Sequence, residues 1–510
     1  MRSLLALLAA SIVLCCAGSA VAQPVGQFPF ALTREGQILG AVEGEVASFK
    51  GLAYAAPPVG ALRWRPPQPT PESSEMHTAY DYGAPCLQPS LPDAGEDCLT
   101  LNVFRPFGVD GPLPVMMFIH GGGFIGGTAN ERLFDGARLA QAGLIVVTAN
   151  YRLGVLGWLT DPALTDGGSG NYGLMDQIAA LHWVHDNIAA FGGDPHNVTL
   201  FGSDSGATSI ALLMLSAQSR DLFQKAILQS VPARAPLRSA QDAQAMGRQF
   251  VAALGPQADL RAAGPRRLLA AESRLLEQSR YGFAPMMDGA LVTEDIAAGF
   301  AAGHQSRIPL IIGSNDDETG FDGEFDVKEE LAASGLTSDE LRKLYPDLAK
   351  PSLAKPSLAK PSLAKPSLVK PSDVAARFYT DKVFSEPARL LARLHAASGA
   401  ATFRYRFAYV PEARRANPGP GHGRELQFIF GAEGVPGAGI FSRADREVAS
   451  RMRSYWINFA RSGDPNGPGL PHWDSVAGRD RLLLIANDHI ASGDDPWSER
   501  LDRIAGESKK

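Results

Sequence analysis

The loop His120-Gly121-Gly122-Gly123-Phe124 directly follows a continuous apolar run, Val115-Met116-Met117-Phe118-Ile119. Glycines placed after a buried strand let the backbone turn with its N–H groups aimed into a cavity, which is what a developing oxyanion requires. Of the ten histidines only His422 stands between glycines, Gly421 and Gly423, in a loop after a Pro-Gly-rich run. That setting predicts an exposed, mobile imidazole able to move protons. His182 and His185 are three residues apart on one helical pattern with no third ligand near them, so they read as packing or surface residues rather than a metal site. The acidic run Asp316-Asp317-Glu318 reads, by itself, as a solvated turn.

The elements that must position these residues alternate in type. The run from Val115 is a buried strand, and Leu144-Ile145-Val146-Val147-Thr148 is a second. Between Leu174 and Phe191 apolar residues recur at helical spacing, with Ile178, Leu181, Trp183, Val184 and Ile188 forming one broad stripe. Val198-Thr199-Leu200-Phe201 is a third strand, followed by a glycine-containing turn and a helical pattern through Leu213 and Leu215, and residues 308–313 repeat the strand-then-loop grammar. Strands alternating with helices predict an α/β fold, a parallel sheet covered on both faces.

Bulk composition agrees with a large folded core. Apolar residues make up 45 % and charged residues 20 % of the 510, which excludes a disordered or fibrous chain. Length alone suggests about three domains, but one α/β sheet with insertions also grows this long. A formal charge of -6, with no basic run interleaved with aromatics, argues against nucleic acid and for small neutral substrates. Arg2, the apolar stretch 4–16 and Ala20-Val21-Ala22 read as a signal peptide cleaved after Ala22, so residues 1–22 are a leader and 23–510 an exported chain. The stretch is short for a bilayer, so no stable membrane span is expected. Removing the leader leaves Cys86 and Cys98, which in an exported chain read as one disulfide stapling a surface loop. Residues 348–372 are five tandem Leu-Ala-Lys-Pro-Ser copies, the last with Val369 for Ala. Proline at every fifth position forbids a regular helix there and predicts a mobile, partly polyproline-II insertion. Oligomeric state has no sequence signal.

Several stretches resemble the type B carboxylesterases, the family of cholinesterases and bacterial para-nitrobenzyl esterases. They are Phe49-Lys50-Gly51-Leu52-Ala53-Tyr54-Ala55-Ala56-Pro57-Pro58-Val59-Gly60, Glu96-Asp97-Cys98-Leu99-Thr100-Leu101-Asn102-Val103, Ala149-Asn150-Tyr151-Arg152-Leu153-Gly154, Phe191-Gly192-Gly193-Asp194-Pro195, Tyr455-Trp456-Ile457-Asn458-Phe459-Ala460 and Gly463-Asp464-Pro465-Asn466-Gly467. The likeness runs from about Pro29 to Trp473 and fails only at the repeat. It implies one α/β-hydrolase domain, hydrolysis of a small-molecule ester without a cofactor or metal, and a disulfide at Cys98. Gly313-Ser314-Asn315-Asp316-Asp317-Glu318-Thr319 is similar to the family's acid motif, making Glu318 the carboxylate that orients a histidine. The segment from Gly421 to Gly431 is similar to the family's His-Gly-x-Glu segment, making His422 the base. Gly122, Gly123 and the N–H of Ser205 would form the oxyanion hole.

The departure is at the elbow. Gly202-Ser203-Asp204-Ser205-Gly206 aligns with the family's Gly-x-Ser-x-Gly, so Asp204 holds the nucleophile position; a one-residue slip would put Ser205 there. Three functions follow. One is an ester hydrolase, since every other part is kept. A second is a hydrolase of alkyl substrates with Asp204 as nucleophile, because a carboxylate attacking an acyl ester gives an anhydride whereas attack at an alkyl carbon gives a stable ester. The third is a catalytically silent binding protein, in which the carboxylate pairs with His422 and weakens it as a base. Phe124, Phe321 and Phe428 are candidates for lining the pocket.

Overall fold

Strands that are apolar along their whole length must be covered on both faces, and these strands form the middle of one large sheet. The computed structural model describes residues 28–161, 170–255, 259–277, 282–319, 334–345, 373–415, 421–435 and 439–506. The leader 1–22, the repeat 348–372 and Phe321 lie outside the described residues. In chain order the sheet strands are β1 (Ala41–Glu43), β2 (Val46–Ala53), β3 (Thr100–Pro106), β4 (Leu113–Ile119), β5 (Ile145–Ala149), β6 (Gly193–Ser203), β7 (Lys225–Gln229), β8 (Leu310–Asn315), β9 (Thr402–Phe407), β10 (Arg481–Ile485) and β11 (Ile490–Asp494). Their spatial order is β11-β10-β9-β8-β7-β6-β4-β5-β3-β2-β1. From β5 to β10 every pairing is parallel. Both ends are antiparallel, which makes the sheet mixed rather than wholly parallel.

The sheet separates two cores. On β4, Val115, Met117 and Ile119 join one core with helices α1 (Tyr172–Asn187) and α2 (Ser205–Leu215). Met116 and Phe118 face the other, where Phe201, Phe430, Trp456 and Trp473 pack. The helical stripe expected through Phe191 is α-helical only to Asn187; Ile188–Phe191 tightens into a 3-10 turn that ends at Gly192, φ 80°. The strand expected from Val198 begins at Gly193, because Leu113 pairs with Gly193 before the register shifts to Val115 and Val198.

Cys86 and Cys98 are joined, S–S 2.00 Å. The two cysteines are buried beside Leu87 and Leu99, and the loop they close is exposed at Pro89, Ser90, Pro92, Asp93 and Asp97, as expected of a stapled surface loop.

Buried ionic chemistry fixes the segment behind the glycine loop. Asp176 of α1 accepts from Arg152 Nε at 2.8 Å, Arg152 Nη2 at 2.7 Å and the Arg152 backbone N–H at 3.1 Å. Both side chains are fully enclosed. Removing one member of such a pair strands the other charge, a loss of about 3–5 kcal/mol. Asp176→Ala is expected to lower unfolding stability by that amount in urea titration; a loss below about 1 kcal/mol would show that the pair does not hold this segment.

Candidate active site

The strand order reverses at β4. Its C-terminal end lies beside that of β6, where ligands bind in open α/β sheets. From β6 the chain turns at Asp204, φ 57° and ψ −124°, and enters α2 at Ser205. A non-glycine residue in this region is strained by about 1–3 kcal/mol and is held only where its surroundings dictate it. Here they do: a Cβ at Gly202 would lie 2.7 Å from the Ile119 carbonyl oxygen, and one at Gly206 only 2.1 Å from it. The Asp204 N–H donates to the Gln229 carbonyl at 2.9 Å, pinning the turn to β7. Ser205 is the first residue of α2 and is buried, so Asp204 is the residue at the tip of the turn.

The glycine loop faces this tip. Gly122 (φ 116°) and Gly123 (φ 62°) take conformations that suit glycine, and a Cβ on Gly122 would sit 2.3 Å from the Gly126 oxygen. Their N–H groups converge on one oxygen: Gly122 N donates to Asp204 Oδ2 at 3.0 Å and Gly123 N at 3.1 Å. The carboxylate thus fills the space between the two glycine N–H groups. Hydrogen bonds to a charged group contribute about 1.5–3 kcal/mol each, so expelling Oδ2 to admit a substrate carbonyl is costly. The loop is anchored behind Phe124, whose carbonyl accepts from Gly154 N at 2.8 Å and Trp158 Nε1 at 3.3 Å.

On the other side stands His422, its Nε2 3.9 Å from Asp204 Oδ1. Its Nδ1 is 2.7 Å from Glu318 Oε2. Contrary to the exposed imidazole expected from the flanking glycines, only 7 % of the side chain is exposed, because Phe384 covers the ring and Glu318 ties it down. Nor is the acidic run a solvated turn at its last residue. Glu318 is buried, and its Oε1 accepts from Ser230 Oγ at 2.7 Å and Asn315 N at 2.6 Å. The Glu318 N–H donates to Thr380 Oγ1 at 3.0 Å.

Burial opposes a charge on His422, but the hydrogen bond and charge of Glu318, with the charges of Asp204 and Glu425, outweigh it and raise the imidazole pKa from 6.5 to about 9. The imidazole of His422 thus favours its charged form beside Glu318. Glu425 is fully buried, its carboxyl pushed up by burial and by the charge of Glu318. It accepts from Gln229 Nε2 at 2.8 Å and Asn315 Nδ2 at 2.7 Å, and Asn315 Nδ2 also donates to the Gly421 carbonyl at 2.8 Å. His120, pushed down to about 4 by burial against a weaker pull from the Gly121 carbonyl, is neutral and stacks on Tyr151, so it supports the loop.

Asp204, Glu318, His422, Gly122 and Gly123 thus meet at one point. Ser205 sits next to it, its hydroxyl beside the Tyr151 phenol. Phe124 lies beside Trp158 behind the loop, while Phe428 is core, stacked on Phe441. His182 and His185 are on the surface. Sequence reading missed Ser230, Thr380 and Gln229, whose partners lie far along the chain, and gave no role to Asn315 within the acid motif; Glu425, three residues after His422, had a signal in the His-Gly-x-Glu likeness. Among the described residues no cluster of His, Cys, Asp and Glu is arranged to hold a metal ion, and no helix is long and apolar enough to cross a membrane.

A parallel-centred sheet with an elbow after β6, an acid after β8 and a histidine after β9 defines an α/β-hydrolase. The carboxylesterase family model matches residues 27–499. The fumonisin B1 esterase of Sphingopyxis macrogoltabida is 35 % identical over 91 % of this chain and 87 % of its own. The para-nitrobenzyl esterase of Bacillus subtilis is 34 % identical over 92 % and 97 %. Among solved structures, a PNB esterase superposes with a TM-score of 0.79 at 32 % identity, covering 94 % of this chain and 100 % of that one. The chain belongs to the type B carboxylesterase family and is a carboxylic-ester hydrolase.

Proposed function

We propose that Asp204, His422 and Glu318, with the N–H groups of Gly122, Gly123 and Ser205, are the centre at which this carboxylesterase hydrolyses small uncharged esters. The observation that carries the proposal is the convergence on Asp204, one oxygen held by two glycine N–H groups and the other facing His422 at 3.9 Å. His422 moves the protons, and Glu318 orients the ring and balances its charge. Ser230, Asn315 and Thr380 keep Glu318 in place. The modest charge of the chain and the names of its Sphingopyxis and Bacillus relatives, a fumonisin B1 esterase and a para-nitrobenzyl esterase, support an organic ester as substrate.

The same proposal makes the enzyme exported, the leader 1–22 being cleaved after Ala22 and residues 23–510 forming a single hydrolase domain that carries the 348–372 repeat as an insertion in its sequence. The apolar leader in the sequence and the Cys86–Cys98 bridge support export. The test is steady-state hydrolysis of a panel of short neutral alkyl and aryl esters by the purified mature chain and by its His422→Ala variant. Turnover of at least one alkyl ester, lost in the variant, is expected. Turnover of no ester, or turnover that survives His422→Ala, would overturn the assignment of this centre.

A further inference from the structure

We infer that this centre cleaves its esters at the alkyl carbon–oxygen bond, through a covalent alkyl ester on Asp204, and therefore takes esters of methyl, allyl and benzyl-type alcohols but not aryl esters. The inference deepens the proposed function and depends on it. An acyl mechanism needs the substrate carbonyl oxygen in the glycine hole, and that place is held by Asp204 Oδ2 through the N–H groups of both Gly122 and Gly123. Acyl attack by a carboxylate also ends in an anhydride, a product higher in energy than the ester it came from. The same placement suits displacement at saturated carbon. Oδ2 is anchored, Oδ1 points toward the His422 side, and the carboxylate keeps 13 % of its surface open. No carbonyl has to enter the hole for this chemistry.

The first step forms the bond from Oδ1 to the alkyl carbon and breaks the bond from that carbon to the ester oxygen, whose electron pair leaves with the carboxylate product. Esterification cancels the charge of Asp204, one of the charges that keep His422 protonated, and the imidazole proton passes to solvent. In the second step neutral His422 takes a proton from water as the water oxygen attacks Asp204 Cγ. Oδ2 then becomes the oxyanion, already between its two N–H donors. Collapse expels the alkoxide with Oδ1, and His422 protonates it. The carboxylic proton left on Asp204 returns to the imidazole, restoring the resting pair. The sum is ester plus water giving carboxylate, alcohol and one proton.

The test is hydrolysis of para-nitrobenzyl acetate by the wild-type mature chain in oxygen-18 water, with both products read by mass spectrometry. Over many turnovers the label is expected in para-nitrobenzyl alcohol and not in acetate. A single turnover with enzyme in excess should leave one heavy oxygen in the peptide that contains Asp204. Para-nitrophenyl acetate, whose aryl carbon is closed to backside displacement, should not be hydrolysed above the His422→Ala background. Label in acetate with unlabelled alcohol, or equal turnover of the two esters, overturns alkyl cleavage and leaves the proposed centre standing. No turnover of para-nitrobenzyl acetate or of any other short ester overturns both.

Discussion

Replacing Asp204 by serine is expected to raise hydrolysis of short para-nitrophenyl esters by at least about a hundredfold, the typical worth of one positioned catalytic group. The substitution does three things at once. It removes Oδ2 from between Gly122 N and Gly123 N, so a substrate carbonyl can take those two donors. It puts a hydroxyl at the tip of a turn whose backbone is set by Gly202, Gly206 and the Gln229 carbonyl rather than by the side chain at 204. It also withdraws one of the charges that hold His422 near a pKa of about 9, so the imidazole falls toward neutrality and can accept the hydroxyl proton. Imidazole titration by NMR should follow that fall, and adding His422→Ala to the serine variant should remove the gain in rate. If Asp204→Ser changes nothing while Ser205→Ala abolishes activity, the nucleophile is Ser205 and the elbow assignment is wrong.

The second large effect is expected from His422→Ala in the natural chain, where steady-state ester turnover should fall by about 10²–10⁴. His422 is the only histidine facing Asp204 among the described residues, and its Glu318 partner is buried and cannot substitute as a proton carrier to solvent. The loss should fall on turnover more than on substrate binding, because the ring is 3.9 Å from the carboxylate and contributes little to the surface a substrate meets. If alkylation precedes water attack, the variant stalls after one event and the Asp204 peptide gains the mass of the alkyl group. Undiminished turnover would remove His422 from the mechanism.

The parts legible in the sequence were those whose cause is local. Buried strands such as Leu113–Ile119 announce themselves by unbroken apolar runs, and the glycine loop follows from the need for positive φ at Gly122 and Gly123. Glu318 and His422 were placed by family likeness, since an acidic loop and a histidine between glycines have no intrinsic partner. The burial of His422 could not be read locally: it comes from Phe384 and Glu318, far away along the chain. Ser230 escaped notice for the same reason, its role existing only once β7 and β8 are neighbours. Sequence could name Asp204 as the odd residue, but not that its carboxylate would settle into the glycine loop, because that depends on two loops meeting from strands about eighty residues apart.

The clamp that shapes the elbow is made almost wholly of backbone, from the Ile119 carbonyl pressed against two glycines and the Gln229 carbonyl holding the amide at 204. A turn fixed in this way does not depend on the side chain it displays. The residue at its tip can change without disturbing the scaffold, so an ancestral sequence could exchange hydroxyl for carboxylate in a single replacement and remain folded throughout. Such a frame separates the shape of the turn from the chemistry of the residue it displays.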